Sequence, residues 1–242
     1  MAMRSGLWPG QTAPTIALRR DRRIYFLCKR LLDLAVAASM LVVLAPLLLF
    51  VALLVKLDSP GPVIFVQPRI GGRRRKNAQD EEWLIGSFPC YKFRTMYRNC
   101  DHSQHEAYMT AFIEGQLPAM ACDKAEFKPT DDPRVTRVGR WLRKTSVDEL
   151  PQLFNVLRGD MSLVGPRPPI EYEVRKYEAW HCNRLAGLPG ITGLWQIRGR
   201  SQVSFDEMVR LDCQYLQTQS LWLDIQILFL TIPAVLSGRG AR

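Results

Sequence analysis

The chain has 242 residues, enough for one folded unit with a buried core and an additional membrane element. Its 33 lysines and arginines against 23 acidic residues give a net charge of +10, which favours anionic partners: nucleic acid, phosphorylated small molecules or an acidic membrane face. The six cysteines form no C-x-x-C pair, which argues against zinc motifs and a dense disulfide framework.

Residues 1–28 are predicted to form a basic N-terminal arm, because this stretch mixes glycine and proline with several arginines. The apolar run that follows is not predicted to be a signal peptide, because no small-residue cleavage site ends a short apolar core. Residues 29–58 contain the uncharged run Leu34 to Val55. At about 1.5 Å per residue, this run is long enough to cross a hydrocarbon core of about 30 Å.

Two features of the apolar run predict a re-entrant helical hairpin with both ends cytoplasmic. Clusters of lysine and arginine flank both ends, and the positive-inside rule assigns both to the same side. Pro46 stands near the centre, where a missing backbone donor breaks or bends a helix. The alternatives are a single span kinked at Pro46 and a buried helix of a soluble protein.

Residues 59–242 are predicted to be a cytoplasmic catalytic domain. Val63 to Gln67 reads as a short strand. Gly71, Gly72 and the basic run Arg73 to Lys76 are predicted to form a turn or loop that faces lipid headgroups, with substrate binding by the basic run as the alternative. Phe88 to Met96 reads as a second strand that places Lys92 and Arg94 on one face, as candidates for phosphate binding. The fold class predicted is α+β, mainly helical with a few short strands.

Two adjacent carboxylates, Asp148 and Glu149, precede a helix ending at Gly159. With Asp148 as the helix cap, Pro151 falls in the first turn, where proline is tolerated. The apolar stripe Leu150, Leu153, Phe154 and Leu157 is predicted to face the core. The carboxylates have two interpretations: favourable charges at a helix start, or groups that attack phosphorus or bind a divalent metal.

Arg143 precedes the carboxylates, and Arg167 follows them between Pro166 and Pro168. Prolines on both sides restrict the backbone, so Arg167 can be held ready to bind a phosphate. Magnesium would cancel the repulsion between an anionic nucleophile and a diphosphate.

The C-terminal third is predicted to contain three helices. Ile170 to Ala186 is amphipathic, and Phe205 to Leu216 carries Asp212. Leu221 to Leu236 is apolar but carries Asp224 and is cut at Pro233, so it is short for a span. It suits a helix that lies in a membrane interface or closes the core.

The chain resembles the bacterial sugar transferase family, the monotopic polyprenyl-phosphate phosphoglycosyl transferases that start exopolysaccharide-type glycans. The resemblance rests on the membrane segment and on SPGPVIFVQPRIG, KFRTM, DPRVTRVGRWLRKTSVDELPQLFNVLRGDMSLVGPRP, PGITGLWQIRGRS and LDCQYLQTQSLWLDIQIL, in family order. The family's re-entrant helix agrees with the flanking charges. Many members have serine before the helix-breaking proline, whereas this chain has Ala45.

The resemblance implies a two-step reaction at the inner membrane of a bacterium, on its cytoplasmic face. Asp148 would attack the sugar-bearing phosphorus of a UDP-sugar, release UMP and form a phosphosugar-aspartate, and polyprenyl phosphate would then take the phosphosugar. Glu149 would assist. Arg143 and Arg167 would carry phosphates, and Mg²⁺ would lie near Asp148. For the late acidic position of the family the resemblance implies Asp224, a metal-ligand candidate, with Asp212 as the second candidate.

A different class remains open: a membrane-anchored protein that binds nucleic acid or anionic lipid without catalysis. The basic residues are interleaved with acidic pairs and prolines, and do not form a plain basic stripe with stacking aromatics. We therefore expect UDP-sugar, polyprenyl phosphate and membrane lipids as partners, and no nucleic acid. The sequence carries no signature of an oligomeric state.

Overall fold

A computed structural model describes residues 23–76, 81–98, 103–116, 132–198 and 203–236. The helices are α1 (Arg23–Asp58), α2 (Ser103–Ile113), α3 (Arg137–Thr145), α4 (Gln152–Arg158), α5 (Glu171–Val174), α6 (Leu194–Arg198), α7 (Phe205–Thr218) and α8 (Leu221–Leu236). The strands are β1 (Ile64–Lys76), β2 (Glu81–Phe93), β3 (Ser162–Val164) and β4 (Gly190–Thr192). Short 3₁₀ helices cover Val147–Glu149 and Ala179–Leu185. This is the mainly helical α+β class that the sequence predicted.

Helix α1 is the one described helix that is long and apolar enough to cross a membrane, with 36 residues and a mean hydropathy of 2.8 in its most apolar window. Residues 1–22 of the predicted basic arm lie outside the described residues, and the rest of the arm is already helical from Arg23. Pro46 lies inside α1. The chain therefore does not divide into two helices there, and a bend at Pro46 stays a prediction.

Both arms of α1 contain residues buried against the rest of the protein, whereas its middle packs only through partly buried side chains such as Leu41, Leu47 and Leu48. Ala37 in the first arm is fully buried, as is Val51 in the second, where Val55 joins it in a cluster with Phe93 and Leu142. No residue from 38 to 50 is buried. The most apolar part of the chain is therefore the part that the protein covers least.

Strands β1 and β2 form an antiparallel hairpin with pairs running from Ile64↔Phe93 to Lys76↔Glu81. Each strand has 13 residues, so both are much longer than predicted, and the prediction of a loop over Arg73 to Lys76 is wrong. Gly71 and Gly72 suggested a turn, but they serve close packing. A Cβ on Gly72 would lie 2.3 Å from the carbonyl oxygen of Leu185.

The C-terminal half surrounds a small parallel pair, β3 and β4. Helices α7 and α8 confirm two predicted helices. The predicted helix Ile170 to Ala186 is replaced by α5 and the 3₁₀ helix Ala179–Leu185. In α4, Leu153 is buried as predicted, but Phe154 is 51% exposed, so its assignment to the core was wrong.

Candidate active site

A cavity of about 630 Å³ lies between the β hairpin, the segment around Asp148, the Arg167 loop and helices α2 and α7. Ligand pockets commonly have this size. Asp148, Arg143, Arg167, Lys92 and Arg94 all line it. The structure thus brings five of the predicted site residues, separated by up to 75 positions in the chain, around one space.

Asp148 reaches the cavity from a 3₁₀ turn and not from a helix cap. Helix α3 ends at Thr145, and the next residue, Ser146, has a left-handed φ of 57° that turns the chain. The 3₁₀ turn Val147–Glu149 follows, and Pro151 is the residue that precedes α4. The prediction that Asp148 caps this helix is therefore wrong, because a separate turn lies between the two helices. Asp148 is 5% exposed, so it is largely withdrawn from solvent.

Arg143 provides a cation beside Asp148. Its Nε donates to Thr95 Oγ1 at 3.0 Å, which fixes the guanidinium. Burial lowers the pKa of Arg143, and the charges of Asp148 and Asp132 oppose that shift. An arginine keeps its charge through such a shift, so the cavity holds a permanent positive charge at this end.

Lys92 and Glu149 form an ion pair, with 2.6 Å between Lys92 Nζ and Glu149 Oε1. Each was predicted to have a separate role, Lys92 on phosphate and Glu149 in assistance to Asp148. The pair ties β2 to the turn that carries Asp148. A phosphate at Lys92 would therefore share its ammonium with Glu149.

Arg94 fastens the end of α1 to the cavity wall. Its Nη2 donates to the Ser59 carbonyl oxygen at 2.6 Å, to Ser59 Oγ at 2.9 Å and to the Val55 carbonyl oxygen at 3.2 Å. Its Nε and Nη1 are buried with no hydrogen-bond partner among the described residues. Arg94, which was predicted to bind phosphate, therefore makes its structural hydrogen bonds through Nη2, and its Nε and Nη1 remain without a partner among the described residues.

The loop Gly165–Pro169 presents Arg167 to the cavity. Its carbonyl oxygens accept hydrogen bonds along its length: Pro166 from Gly190 N at 2.9 Å and Pro169 from Ile70 N at 2.8 Å. Among the described residues, the Arg167 guanidinium has no hydrogen bond or ion pair of its own. A fixed backbone with an uncommitted guanidinium suits the binding of phosphate oxygens.

This loop is held by two arginines that were not among the predicted site residues. Arg69 Nη1 donates to the Pro168 carbonyl oxygen at 2.9 Å, and Arg184 Nη2 to that of Arg167 at 3.3 Å. Both line the cavity and are at most 7% exposed. For Arg69, the sequence did contain a signal: this charged residue stands beside Ile70 within a strand. A charge buried at such a position is costly unless it is paired.

Asp212 lies behind the cavity wall, where its Oδ2 accepts from Arg184 Nη2 at 2.6 Å. Burial raises the pKa of Asp212 to about 6, and the charge of Arg184 opposes this shift. Asp212 therefore contacts Arg184, which lines the cavity, and does not line the cavity itself.

Asp224 is not brought to Asp148. It is 1% exposed and accepts hydrogen bonds from Lys29 Nζ at 3.0 Å, Tyr215 OH at 2.6 Å and Tyr25 OH at 3.0 Å. It does not line the cavity. The structure therefore places Asp224 in a buried ion pair with α1 and outside the lining of the cavity that holds Asp148, and its role as a metal ligand stays a prediction.

No group of three His, Cys, Asp or Glu residues that could hold a metal ion occurs in the described part of the chain. Magnesium commonly keeps several waters and is held by one or two carboxylates and the phosphates of a substrate. Three carboxylates line the cavity. Asp148 is one; Arg134 already binds Asp132 at 2.7 to 3.0 Å, and Glu173 accepts from Ile170 N at 3.2 Å. This arrangement fits an ion that arrives with a diphosphate.

A buried carboxylate among arginines, inside a cavity of ligand size, is the arrangement expected of an enzyme that acts on phosphate groups. Comparison with known proteins narrows this class. Residues 24–238 match the family model described as Bacterial sugar transferase. The chain therefore belongs to the bacterial sugar transferase family.

Curated relatives are similar along almost the whole chain. The exopolysaccharide production protein ExoY of Sinorhizobium fredii is 43% identical over 220 residues, which cover 91% of this chain and 90% of ExoY. The galactosyl transferase CpsE of Streptococcus agalactiae is 39% identical over 96% of this chain and 47% of CpsE. The undecaprenyl-phosphate galactose phosphotransferase of Salmonella typhimurium is 41% identical over 88% of this chain and 41% of that protein. The chain thus spans nearly all of ExoY but less than half of the other two.

Proposed function

We propose that this protein transfers a sugar 1-phosphate from a UDP-sugar to polyprenyl phosphate and so initiates the synthesis of an exopolysaccharide or related glycan. Relatives named as undecaprenyl-phosphate galactose and glucose phosphotransferases support the reaction class. The observation that carries the proposal is the place of Asp148, buried in the cavity with Arg143 and Arg167.

In the first step an Asp148 carboxylate oxygen attacks the sugar-bearing phosphorus, and the bond from that phosphorus to UMP breaks. UMP leaves with the electron pair. In the second step a phosphate oxygen of the lipid attacks the same phosphorus, and Asp148 is released as a carboxylate. The products are UMP and a polyprenyl diphosphate sugar, with no other reactant consumed.

The side chains around Asp148 provide binding and orientation for both steps. Arg143 and Arg167 bind phosphate oxygens, which draws the diphosphate to an anionic nucleophile that would otherwise repel it. Glu149 holds Lys92 in place. Mg²⁺, held by Asp148 and the diphosphate, would neutralise charge on the phosphates.

The proposed location is the inner membrane of a bacterium, with the catalytic domain on the cytoplasmic face and α1 as a re-entrant element. Both arms of α1 rest on the same domain, whereas residues 38–50 contain no buried residue. Helix α8 exposes Trp222 and Phe229, each 69% exposed, as a helix in a membrane interface would. Cysteines placed at the exposed positions Arg23 and Arg73 should both label from the cytoplasmic side only. Labelling from opposite sides would make α1 a span.

The deciding experiment measures UMP release by the purified full chain with Mg²⁺, polyprenyl phosphate and a panel of UDP-sugars. We expect release from at least one sugar, and trapping of labelled phosphosugar on the protein when the lipid is withheld. Asp148→Asn should abolish trapping, while the control Asp160→Asn, which lies outside the cavity lining, should retain it. Trapping by Asp148→Asn would assign the nucleophile to another residue. No UMP release from any sugar would favour the non-catalytic membrane-anchored alternative.

A further inference from the structure

The proposed reaction requires two separate parts of the cavity, and this inference rests on that proposal. In an in-line displacement the leaving group departs opposite the nucleophile. The lipid phosphate must therefore enter where UMP has left. The sugar stays bound to phosphorus through both steps, so it needs a place that neither UMP nor the lipid occupies.

Charge differs between the two ends of the cavity. At the Asp148 end, the lining includes five cations against the carboxylates Asp148 and Asp132, and Glu149 neutralises one of the five, Lys92, which leaves an excess of two positive charges. The five cations are Lys92, Arg94, Arg98, Arg134 and Arg143. Such an excess suits a diphosphate and a lipid phosphate.

At the other end, Arg69 and Arg184 are balanced by Glu173 and Asp212, two positive against two negative charges. The charge of Glu173 reaches both arginines: it opposes the burial that lowers the pKa of Arg69, and it contributes to the raised pKa of Arg184. The charge of Arg167 also reaches this end, because it acts to lower the pKa of Arg69 and of Asp212. With at most one positive charge in excess and a carboxylate in its lining, this end attracts phosphate less than the Asp148 end and suits a neutral polar group.

The balanced end also offers hydrogen-bonding groups that the protein does not use. Nε of Arg69 and Nε of Arg184 are buried with no hydrogen-bond partner among the described residues. Glu173 Oε2 accepts from Ile170 N at 3.2 Å, and no described residue donates to its other oxygen. Buried polar groups without partners are costly, so a ligand that donates and accepts here would gain binding energy.

Apolar side chains form the floor of this end. Met109 and Phe112 from α2 and Phe205 and Met208 from α7 line it, and each is at most 6% exposed. Phe205 lies between the Phe112 ring, 6.0 Å away, and the guanidinium of Arg184, also at 6.0 Å. At the opposite end of the lining Phe65 is 42% exposed. The balanced end is therefore the enclosed one.

We infer that the enclosed end, formed by Arg69, Glu173 and Arg184 over the Phe205 floor, binds the hexose of the UDP-sugar and that Glu173 contributes to the choice of sugar. A hexose has hydroxyls that both donate and accept, and its C–H face packs on aromatic rings. The uridine, which must leave and be replaced by a lipid, belongs at the open end. Glu173 accepts from a sugar hydroxyl, and the two arginines donate.

The test uses the full chain in nanodiscs, with kcat/KM for UMP release from UDP-glucose, UDP-galactose and UDP-N-acetylglucosamine, and inhibition by added UMP. Glu173→Gln should lower kcat/KM for the preferred sugar by about tenfold or more, because a hydrogen bond to a charged group is lost, and should change the ratios between sugars. UMP inhibition should stay within about twofold. The matched control Glu171→Gln, on the same helix but outside the cavity lining, should change neither quantity.

Three results would overturn the inference. Unchanged ratios of kcat/KM between the sugars with weaker UMP inhibition would place uridine at this end. The other two results are an equal fall in kcat/KM for all sugars, and no change in either quantity. If Glu173→Gln unfolds at a lower temperature than the native chain, Met208→Phe carries the test, since it narrows the same end and should select against the N-acetyl sugar. The native chain tests the proposed function separately, because that function fails only when the native chain releases no UMP from any of the sugars.

Discussion

Replacing Lys29 with methionine tests whether Asp224 serves the fold or the chemistry. The Lys29 side chain is 6% exposed and that of Asp224 is 1% exposed, with 3.0 Å between Nζ and Oδ2. Removing the lysine leaves a buried carboxylate with two hydroxyl donors, Tyr215 and Tyr25. Loss of one partner of a buried ion pair costs about 3–5 kcal/mol. We expect the lower end, about 3 kcal/mol, because the two hydroxyls remain.

At roughly 2–4 °C per kcal/mol for a chain of this size, Lys29→Met should lower the unfolding temperature by about 6–12 °C. The assay is thermal unfolding in nanodiscs of Lys29→Met, Asp224→Asn and the double variant. The double variant should regain part of the loss, because Asp224 is then neutral, although the buried Asp33 still lacks the nearby charge of Lys29. Lys56→Met, at an exposed position of the same helix, should stay within about 0.5 kcal/mol of the native chain.

UMP release by the same variants separates the two roles of Asp224. If Asp224 serves the fold, activity at a temperature where all variants are folded should follow stability, and the double variant should recover part of both. Loss of activity in Asp224→Asn at unchanged stability, with no recovery in the double variant, would refute a purely structural role of Asp224 and favour the predicted role as a metal ligand.

Three further predictions concern the arginine loop, a buried acid and the exposed face of α8. Arg167→Lys keeps the charge but loses the planar fork, so kcat/KM for UMP release should fall by roughly 10- to 100-fold at an unchanged unfolding temperature; equal activity would contradict phosphate binding by Arg167. Burial raises the pKa of Asp212 to about 6, so the folded state holds this proton more tightly than the unfolded state does. The protonated carboxyl therefore adds to the stability below its ordinary pKa, and this stability is lost as pH rises towards 6. The stability of the native chain relative to Asp212→Asn should therefore decline between about pH 4 and pH 6, measured by urea unfolding; a constant difference would show an unshifted pKa. Trp222→Ser with Phe229→Ser should weaken sedimentation with membranes without lowering the unfolding temperature, because both rings are 69% exposed; a large loss of stability would show that they pack in the protein.

Local pattern predicted the elements that have a strong period or a long apolar run. Helices α1, α7 and α8 were predicted because their apolar residues recur at helical spacing or without interruption. The hairpin was predicted too short because a Gly-Gly pair indicates a turn, whereas Gly72 meets a backbone carbonyl from a segment more than 100 residues away. A contact over that distance has no local signature.

The same limit applies to the candidate site. Asp148, Arg143 and Arg167 stood out because a carboxylate pair, a basic helix and two prolines mark them within one stretch. The ion pair of Lys92 with Glu149, and that of Arg184 with Asp212, join residues 57 and 28 positions apart. Charge type alone does not show which cations are already neutralised, so the sequence assigned Lys92 to phosphate and left Arg69 and Arg184 out.

Helix α1 is joined to both sides of the cavity. In its first arm, Asp33 Oδ1 accepts from Leu163 N at 3.1 Å, and Leu163 lies in the strand that leads into the Arg167 loop. At its other end, the Val55 carbonyl and Ser59 hold Arg94, which follows β2 and lines the cavity. Because α1 is joined to the protein at two points, both walls of the cavity are expected to move with it. In the proposed membrane location, the depth of α1 in the bilayer would therefore set the height at which a lipid phosphate meets Arg167.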